Sequence, residues 1–340
     1  MFLYIILYFV LFFASLNKGK NKLLFWLVIF VFSFLIGFRA FEVGSDTMTY
    51  AQMYYYINRN GYHGYPEWGY GSLFFLLGKL GLSFSMTQTI MTVIPFCLAG
   101  FVMQKKSSDI YFSLFCLYLM YFVFYAMNIH RQIIACFILL FAYSFLLENK
   151  YKKFVLGVFV ASLFHAVSLC TLILLLKKWL PSKTQWILFI LVFSFLVGAF
   201  IPTDVLQYFL GSYANYLQSD TLGSRSETRL ILAILLSAYW LGLFIYIYLT
   251  SSVSFKHSLY CKIYFVTVVL NNLFMRQELG IRAVLLFSIF QILVFPKYIE
   301  DLKPSKKTPF KIGLIIYLSI FLFLFLFNNS AEVVPYRLNL

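Results

Sequence analysis

The chain has 340 residues, of which 62% are hydrophobic and only 11% are charged, and its formal net charge is +15. Soluble domains are about 45–50% apolar and about 25% charged, so this composition excludes an ordinary soluble fold and predicts an all-α polytopic membrane protein. At roughly 20 residues per span, the length allows about ten to twelve transmembrane helices. We expect them to form a single integral membrane domain over 1–340.

Ten apolar segments are predicted to cross the membrane. In chain order they are 2–16, 23–38, 85–103, 110–128, 131–147, 184–201, 229–250, 258–275, 281–296 and 311–328. The first has neither a basic segment before it nor a small-residue cleavage site. We therefore expect it to be a retained anchor rather than a cleaved signal peptide.

The lysines predict the orientation of these crossings. All of them except Lys79 lie in short connectors at 18–22, 105–106, 150–153, 177–183, 256–262 and 297–311. Lysine-rich connectors of membrane proteins face the cytoplasm. Both ends of the chain and the two largest loops, 39–67 and 202–228, are therefore predicted to lie outside.

The eight arginines follow a different distribution. By this topology every arginine lies on the outer side or at an outer helix end. A guanidinium binds phosphate or carboxylate through two parallel hydrogen bonds, whereas an ammonium acts as a point charge. The arginines therefore predict an outer cavity that binds an anion. The alternative is that they only pair with the acidic residues predicted on the same side.

Segment 68–82 is short and rich in glycine, and it is predicted not to cross. Only an odd number of crossings fits between the outer loop and Lys105–Lys106, and 85–103 supplies one. We expect 68–82 to form a helix that lies at the outer interface or re-enters the membrane. Glu67 would stand at its N-terminus, where the helix dipole favours an acid.

Segment 154–176 is flanked by lysines on both sides. One crossing would place the lysines of 177–183 outside, and two crossings need more residues than the segment has. A re-entrant hairpin with His165 at its tip satisfies both length and charge. The alternative is one ordinary span with His165 at mid-membrane. In both arrangements His165 is a functional candidate, because an ionisable group is costly to keep at that depth.

No metal and no other cofactor is expected. The five cysteines lie in apolar runs without Cys-x-x-Cys spacing. The chain also has no Asp-x-Asp pair and no histidine-rich set. The many tyrosines are explained mainly by the interfacial aromatic belt, although they also suit stacking on sugar rings.

Several short polar motifs follow one another in an order that is typical of a known family. They are Arg39 at the end of the second crossing, GSDTMTY (44–50), EWGYGSL (67–73), NIHRQIIA (128–135), SLFHAVSL (162–169), MRQELGIRAVLLF (275–287) and VVPYRLNL (333–340). Together, from about Arg39 to Tyr336, they resemble the EpsG-like branch of the Wzy-type polysaccharide repeat-unit polymerases. In one departure, Ala166–Val167 stand where this family often has Pro-Ser after the histidine.

The resemblance implies a GT-C-like glycosyltransferase in the bacterial cytoplasmic membrane, with an active site that faces outside. Such enzymes move a growing glycan from undecaprenyl pyrophosphate onto the sugar terminus of an incoming lipid-linked unit. The implied partners are undecaprenyl-pyrophosphate-linked glycans as donor and acceptor, membrane lipid and a chain-length regulator protein, with no nucleic acid. The alternatives are a lipid-linked glycan ligase and a flippase or transporter. A transporter would be expected to show internal repeats with paired broken helices, and no convincing repeat is seen.

The candidate site residues have three predicted roles. Breaking a sugar–pyrophosphate bond calls for positive groups beside the leaving group, and activating a hydroxyl calls for a base such as histidine or a partly buried carboxylate. The candidates are His165, Asp46 and Glu67 for catalysis; Arg39, Arg131, Arg276 and Arg282 for pyrophosphate; and Tyr50, Trp68, Tyr70 and Tyr336 for sugar. His165 is the first choice of base and Asp46 the second, although SDT is also good turn chemistry and Asp46 can serve as a cap.

Overall fold

The computed structural model describes residues 1–16, 21–62, 67–200, 227–329 and 331–339. Within these ranges every regular element is helical, and a single isolated bridge joins Arg39 and Leu338. The predicted all-α class is therefore confirmed. The chain divides into two compact units, unit 1 (1–169 and 295–340) and unit 2 (170–294). That both units belong to one membrane domain stays a prediction.

The helices are numbered in chain order. They are α1 (Phe2–Leu16), α2 (Lys22–Gly37), α3 (Thr47–Asn60), α4 (Trp68–Lys79), α5 (Phe84–Lys106), α6 (Ile110–Leu119), α7 (Phe122–Tyr125), α8 (His130–Leu147), α9 (Tyr151–Ser162), a 3-10 helix (Ala166–Leu176), α10 (Thr184–Phe200), α11 (Glu227–Thr250), α12 (Val253–His257), α13 (Leu259–Leu273), α14 (Glu278–Ser288), α15 (Gln291–Asp301) and α16 (Pro304–Asn328).

Helix length supports fewer crossings than the sequence predicts. In the part of the chain that the structure describes, the helices long and apolar enough to cross a membrane are Phe84–Lys106, His130–Leu147, Ala233–Thr250 and Pro304–Asn328. The bent pair of α14 and α15 makes a fifth if it counts as one span. Six other apolar helices have only 10–17 residues, below the roughly 20 that a full crossing requires. A multi-pass membrane protein is thus supported, whereas ten to twelve crossings stay a prediction.

Two predicted crossings are interrupted. Segment 110–128 forms α6 and the short α7, because Tyr121 between them has a left-handed backbone with φ of 67°, which is unfavourable for a residue with a Cβ. Segment 281–296 is divided between α14 and α15. Neither break coincides with a glycine or a proline in the sequence.

Unit 1 is built from helices that pack as close neighbours. α1 packs on α6, α2 on α5, α5 on α8 and α8 on α9. Glycines permit the close approach of α2 and α5, since a Cβ on Gly37 would lie 1.8 Å from Thr89 Oγ1 and one on Gly100 would lie 2.9 Å from the Trp26 ring. Small residues at helix contacts are typical of membrane proteins, because they let the backbones come close.

A partly buried ion pair fixes the lysine-rich end of unit 1. Asp109 caps α6 by accepting a hydrogen bond from the Phe112 backbone N–H at 3.0 Å. Its second oxygen accepts from Lys311 Nζ of α16 at 2.7 Å, and Lys311 also donates to the Ser15 carbonyl at 2.6 Å. One lysine therefore joins the ends of α1, α6 and α16.

The two segments predicted to be irregular contain short helices. α4 covers most of 68–82 and begins directly after Glu67. In the second segment α9 ends at Ser162 and the 3-10 helix starts at Ala166, so His165 lies in the break. A continuous helix over 154–176 is therefore not formed, while the depth of either segment in a membrane stays a prediction.

Residues 331–339, the C-terminal tail, fold back onto the loop between α2 and α3. Backbone hydrogen bonds of 2.8–2.9 Å run from Asn339 to Phe38, from Ala40 to Arg337 and from Gly44 to Glu332. The Tyr336 hydroxyl donates to the Leu35 carbonyl at 2.8 Å. The tail therefore fixes the loop that carries Arg39 and Asp46.

The described part of unit 2 contains α10 to α14. α10 packs on α13, where Asn272 Nδ2 donates to the Leu191 carbonyl at 3.2 Å and to Ser194 Oγ at 3.1 Å. Arg276 lies between α13 and α14, and Arg282 lies on α14. Residues 202–226 of the predicted outer loop 202–228 lie outside the described residues.

Candidate functional site

Three predicted site residues from distant parts of the sequence meet in unit 1, and we call them the Glu67 cluster (Glu67, Arg131 and His165). Glu67 Oε2 lies 2.6 Å from Arg131 Nη1. Glu67 Oε1 lies 2.9 Å from His165 Nδ1, although the two residues are 98 positions apart. One carboxylate thus bridges a guanidinium at the start of α8 and an imidazole in the break after α9.

The start of α4 explains how Glu67 reaches His165. The Gly69 backbone N–H donates to the Leu163 carbonyl at 2.8 Å, which docks α4 against the break. A Cβ on Gly69 would lie 2.9 Å from the same carbonyl oxygen, so glycine suits this close approach. Glu67 precedes α4, yet its side chain makes no capping hydrogen bond. The carboxylate is directed to Arg131 and His165 instead.

The Glu67 cluster is partly shielded from solvent. The side chain of Glu67 is 12% exposed, that of His165 19% and that of Arg131 36%. A carboxylate only accepts hydrogen bonds, so His165 Nδ1 carries the proton, and in the neutral imidazole Nε2 then holds a lone pair. The Arg131 contact is an ion pair in which the N–H is not aligned on Oε2. The prediction that outer arginines pair with outer acids therefore applies to Arg131.

Tyr50 of α3 supports Arg131. The guanidinium carbon of Arg131 lies 5.8 Å from the centre of the Tyr50 ring, within the range of a cation–π interaction. Burial raises the pKa of Tyr50, so its phenol stays neutral beside Arg131. Asp46 lies one turn before Tyr50, and its carbonyl accepts the Tyr50 backbone N–H at 3.0 Å. Asp46 occupies the cap position of α3, but its side chain makes no capping hydrogen bond.

A closed ring of buried hydrogen bonds includes His130, the residue that precedes Arg131 in the chain. Gln88 Nε2 donates to the Tyr70 hydroxyl at 3.2 Å, and the Thr92 hydroxyl donates to the Gln88 carbonyl at 2.6 Å. Because that hydroxyl has one proton, Thr92 Oγ1 accepts from His130 Nε2 at 2.9 Å. Tyr70 then donates to His130 Nδ1 at 2.9 Å. His130 is therefore neutral with its proton on Nε2, and the ring joins α4, α5 and α8.

Arg39 is enclosed by protein atoms. Its side chain is buried, with 2% of the residue exposed. Nε donates to Thr47 Oγ1 at 2.8 Å and Nη1 donates to the Ile36 carbonyl, while Nη2 has no hydrogen-bond partner among the described residues. Burial lowers the pKa of Arg39 to about 10, so it remains charged at neutral pH. These contacts join α2 to the start of α3, and a role for Arg39 in pyrophosphate binding stays a prediction.

The four predicted sugar-binding aromatics have different environments. Trp68 is 62% exposed and lies next to Glu67 in the chain. Tyr50 and Tyr70 are buried, the first under Arg131 and the second in the hydrogen-bonded ring. Tyr336 is half-buried and bonded to α2. Trp68 is therefore the aromatic of this set that is best placed to stack on a ligand.

Two predicted arginines belong to the other unit. Arg276 and Arg282 lie in unit 2, whereas the Glu67 cluster lies in unit 1. Their contribution to one pyrophosphate site therefore stays a prediction. Among the residues that the structure describes, no group of three or more His, Cys, Asp or Glu side chains is arranged to hold a metal ion. Independence from metal likewise stays a prediction.

The comparison with known families gives a match along most of the chain. A model of the EpsG family matches residues 22–338. This range includes the Glu67 cluster, the hydrogen-bonded ring around His130 and every other candidate residue. The resemblance found in the sequence motifs is thereby confirmed. No curated protein and no solved structure matches the chain.

Proposed function

The chain belongs to the EpsG family, and we propose that it polymerises undecaprenyl-pyrophosphate-linked oligosaccharide repeat units into surface polysaccharide. The family supports a role in polysaccharide biosynthesis. The lipid carrier, the polymerase step and a site on the outer face of the cytoplasmic membrane are our proposal. The observation that carries it is the carboxylate of Glu67 held between His165 and Arg131.

His165 is the proposed general base. Glu67 accepts from Nδ1, so the lone pair of the neutral imidazole lies on Nε2. A carboxylate in this position holds the imidazole in one tautomer and stabilises the imidazolium that forms when Nε2 takes a proton. Nε2 would receive the proton of the acceptor sugar's hydroxyl. Asp46, whose side chain does not cap α3, is the second candidate for this role.

Arg131 is the proposed partner of the leaving pyrophosphate. A guanidinium has five N–H donors, and the contact with Glu67 involves Nη1. The side chain is about one-third exposed, so part of the guanidinium is accessible to a ligand. Positive charge placed where negative charge develops lowers the barrier to bond breaking.

The reaction balances without a further reactant. The acceptor hydroxyl oxygen attacks the anomeric carbon of the donor glycan and forms the new glycosidic bond. The bond from that carbon to the pyrophosphate oxygen breaks, and the electron pair leaves with undecaprenyl pyrophosphate. The hydroxyl proton passes to His165. Trp68, exposed beside Glu67, is proposed to stack on a sugar ring near the reacting groups.

The deciding experiment is the surface-polysaccharide ladder of cells in which this gene is deleted. A polymerase predicts that the ladder disappears while a single repeat unit remains on its acceptor, and that the wild-type gene restores the ladder. Loss of every glycan, the single unit included, would contradict the proposal and favour a ligase or a flippase. Complementation with His165→Ala should leave the single repeat unit without a ladder, provided that the variant reaches the membrane in normal amount.

A further inference from the structure

A cavity lies in unit 1 between the C-terminal ends of α5 and α8. It has a volume of about 220 Å³. The aromatic rings of Phe101, Phe141 and Phe145 line it together with Lys105, Lys106, Lys150 and Glu148. Arg131 stands at the N-terminal end of α8, whereas Glu148 follows its C-terminal end. The cavity is therefore separate from the Glu67 cluster.

The charges around this cavity are not balanced. Glu148 contacts both Lys106 Nζ and Lys150 Nζ at 2.6 Å. Lys105 Nζ lies 4.2 Å from the centre of the Phe101 ring, and it has no acidic partner among the described residues. A single carboxylate cannot neutralise three ammonium groups. The cavity therefore presents a net positive charge next to an aromatic surface.

The position of the cavity points to a ligand from the membrane. α5 and α8 are two of the helices that are long enough to cross, and the cavity lies at their lysine-rich ends, which the charge distribution assigns to the cytoplasmic side. Basic pockets between transmembrane helices on this side bind the head groups of anionic lipids. The volume is below the roughly 300–1,000 Å³ of pockets that enclose a whole small molecule, so it suits a head group whose acyl chains remain in the bilayer.

We propose that this cavity binds the head group of an anionic phospholipid of the inner leaflet. The phosphate would contact Lys105 and Lys106, while the glycerol and the first acyl carbons would pack on Phe101 and Phe141. Bound lipid would then connect α5 and α8 at the end opposite the Glu67 cluster. The proposal does not depend on the glycan chemistry, and binding can be measured without any glycan substrate.

The test is native mass spectrometry of the full-length protein in detergent, titrated with phosphatidylglycerol and with phosphatidylcholine of the same acyl chains. We expect the anionic lipid to bind more tightly. A basic residue beside an anionic head group strengthens lipid binding by about fivefold, so Lys105→Gln should weaken phosphatidylglycerol binding by about that factor. Glu148→Gln removes the acid and should strengthen it. Lys22→Gln, an exposed lysine on the same predicted side but outside the cavity, should leave it unchanged.

Three results would overturn the proposal. The first is equal binding of the two lipids, which would show that the head-group charge is not recognised. The second is a loss with Lys22→Gln as large as that with Lys105→Gln, which would show an effect of total surface charge. The third is displacement of the lipid by inorganic phosphate at equal concentration, which would make this a site for a free anion. Because Glu148→Gln is expected to act in the opposite direction, a variant that merely unfolds cannot imitate the full pattern.

Discussion

Replacing Glu67 by glutamine tests the proposed chemistry most directly. Glutamine has nearly the same shape, but it removes the charge that lies 2.9 Å from His165 Nδ1. A hydrogen bond to a charged group contributes about 1.5–3 kcal/mol, and Glu67 and His165 are both largely shielded from solvent. At about 1.36 kcal/mol per tenfold change in rate, losing this stabilisation of the imidazolium should lower kcat by about 10- to 150-fold. The contact with the more exposed Arg131 adds less, since such ion pairs are worth about 0–1 kcal/mol.

The assay is the initial rate of polymer formation by purified protein supplied with lipid-linked repeat units. We expect kcat to fall and KM to change little, because the proposal gives Glu67 no contact with substrate. Glu67→Gln combined with His165→Gln should be no slower than His165→Gln alone, since the two residues act as one unit. Glu42→Gln, which alters an exposed acid of the same predicted outer loop, is the matched control. A wild-type kcat for Glu67→Gln would refute the proposed role of His165 as a base oriented by this carboxylate.

Four further changes have defined outcomes. Thr92→Val opens the hydrogen-bonded ring and leaves His130 Nε2 without its acceptor, so thermal unfolding in detergent should show a loss of about 1–3 kcal/mol. The control is Thr87→Val, which changes a buried threonine of the same helix whose hydroxyl has no hydrogen-bond partner among the described residues; it should cost less, and equal losses would argue against the ring. Arg131→Lys keeps the charge and loses the planar fork, so the ladder should be largely lost with normal membrane insertion, and a full ladder would remove the pyrophosphate argument. Lys106 and Lys150 lower the pKa of Glu148 to about 2, so its stabilising contribution is present above about pH 4.5 and is lost as the pH falls towards 2. In Glu148→Gln the free energy of unfolding should therefore fall less steeply between these pH values, and an unchanged slope would assign the loss to other carboxylates. A chelator should leave polymer formation intact, and inhibition that added divalent metal reverses would show a metal requirement.

The sequence predicts the residues of the Glu67 cluster but not their contacts. Glu67 and His165 are recognisable because Glu67 directly precedes, and His165 lies within, a segment whose length and charge do not fit a simple crossing. Their pairing depends on the hydrogen bond from Gly69 to Leu163, and a backbone contact of this kind leaves no pattern in the sequence. Arg131 follows from the family motif, yet the same motif gives no sign that Tyr50 lies beneath it.

His130 and the two interrupted helices show where sequence reasoning fails. His130 stands beside Arg131 in NIHRQIIA, but its importance comes from Tyr70 and Thr92 on other helices. Prediction of a continuous crossing over 110–128 rests on unbroken hydrophobicity, and Tyr121 carries no glycine or proline signal for the left-handed turn that it adopts. Tertiary packing overrides local preference at this position.

The C-terminal tail gives the folding of unit 1 a defined order in time. Tyr336 bonds to Leu35, 301 positions earlier in the chain, and Val333 accepts from Tyr4 across 329 positions. Ribosomal synthesis makes these partners far apart in time, so the loop that carries Arg39 and Asp46 stays without its contacts to the tail until the intervening helices have been made. Contacts of such long sequence separation form slowly. We therefore expect this loop to be among the last parts of the unit to become protected from protease during biosynthesis.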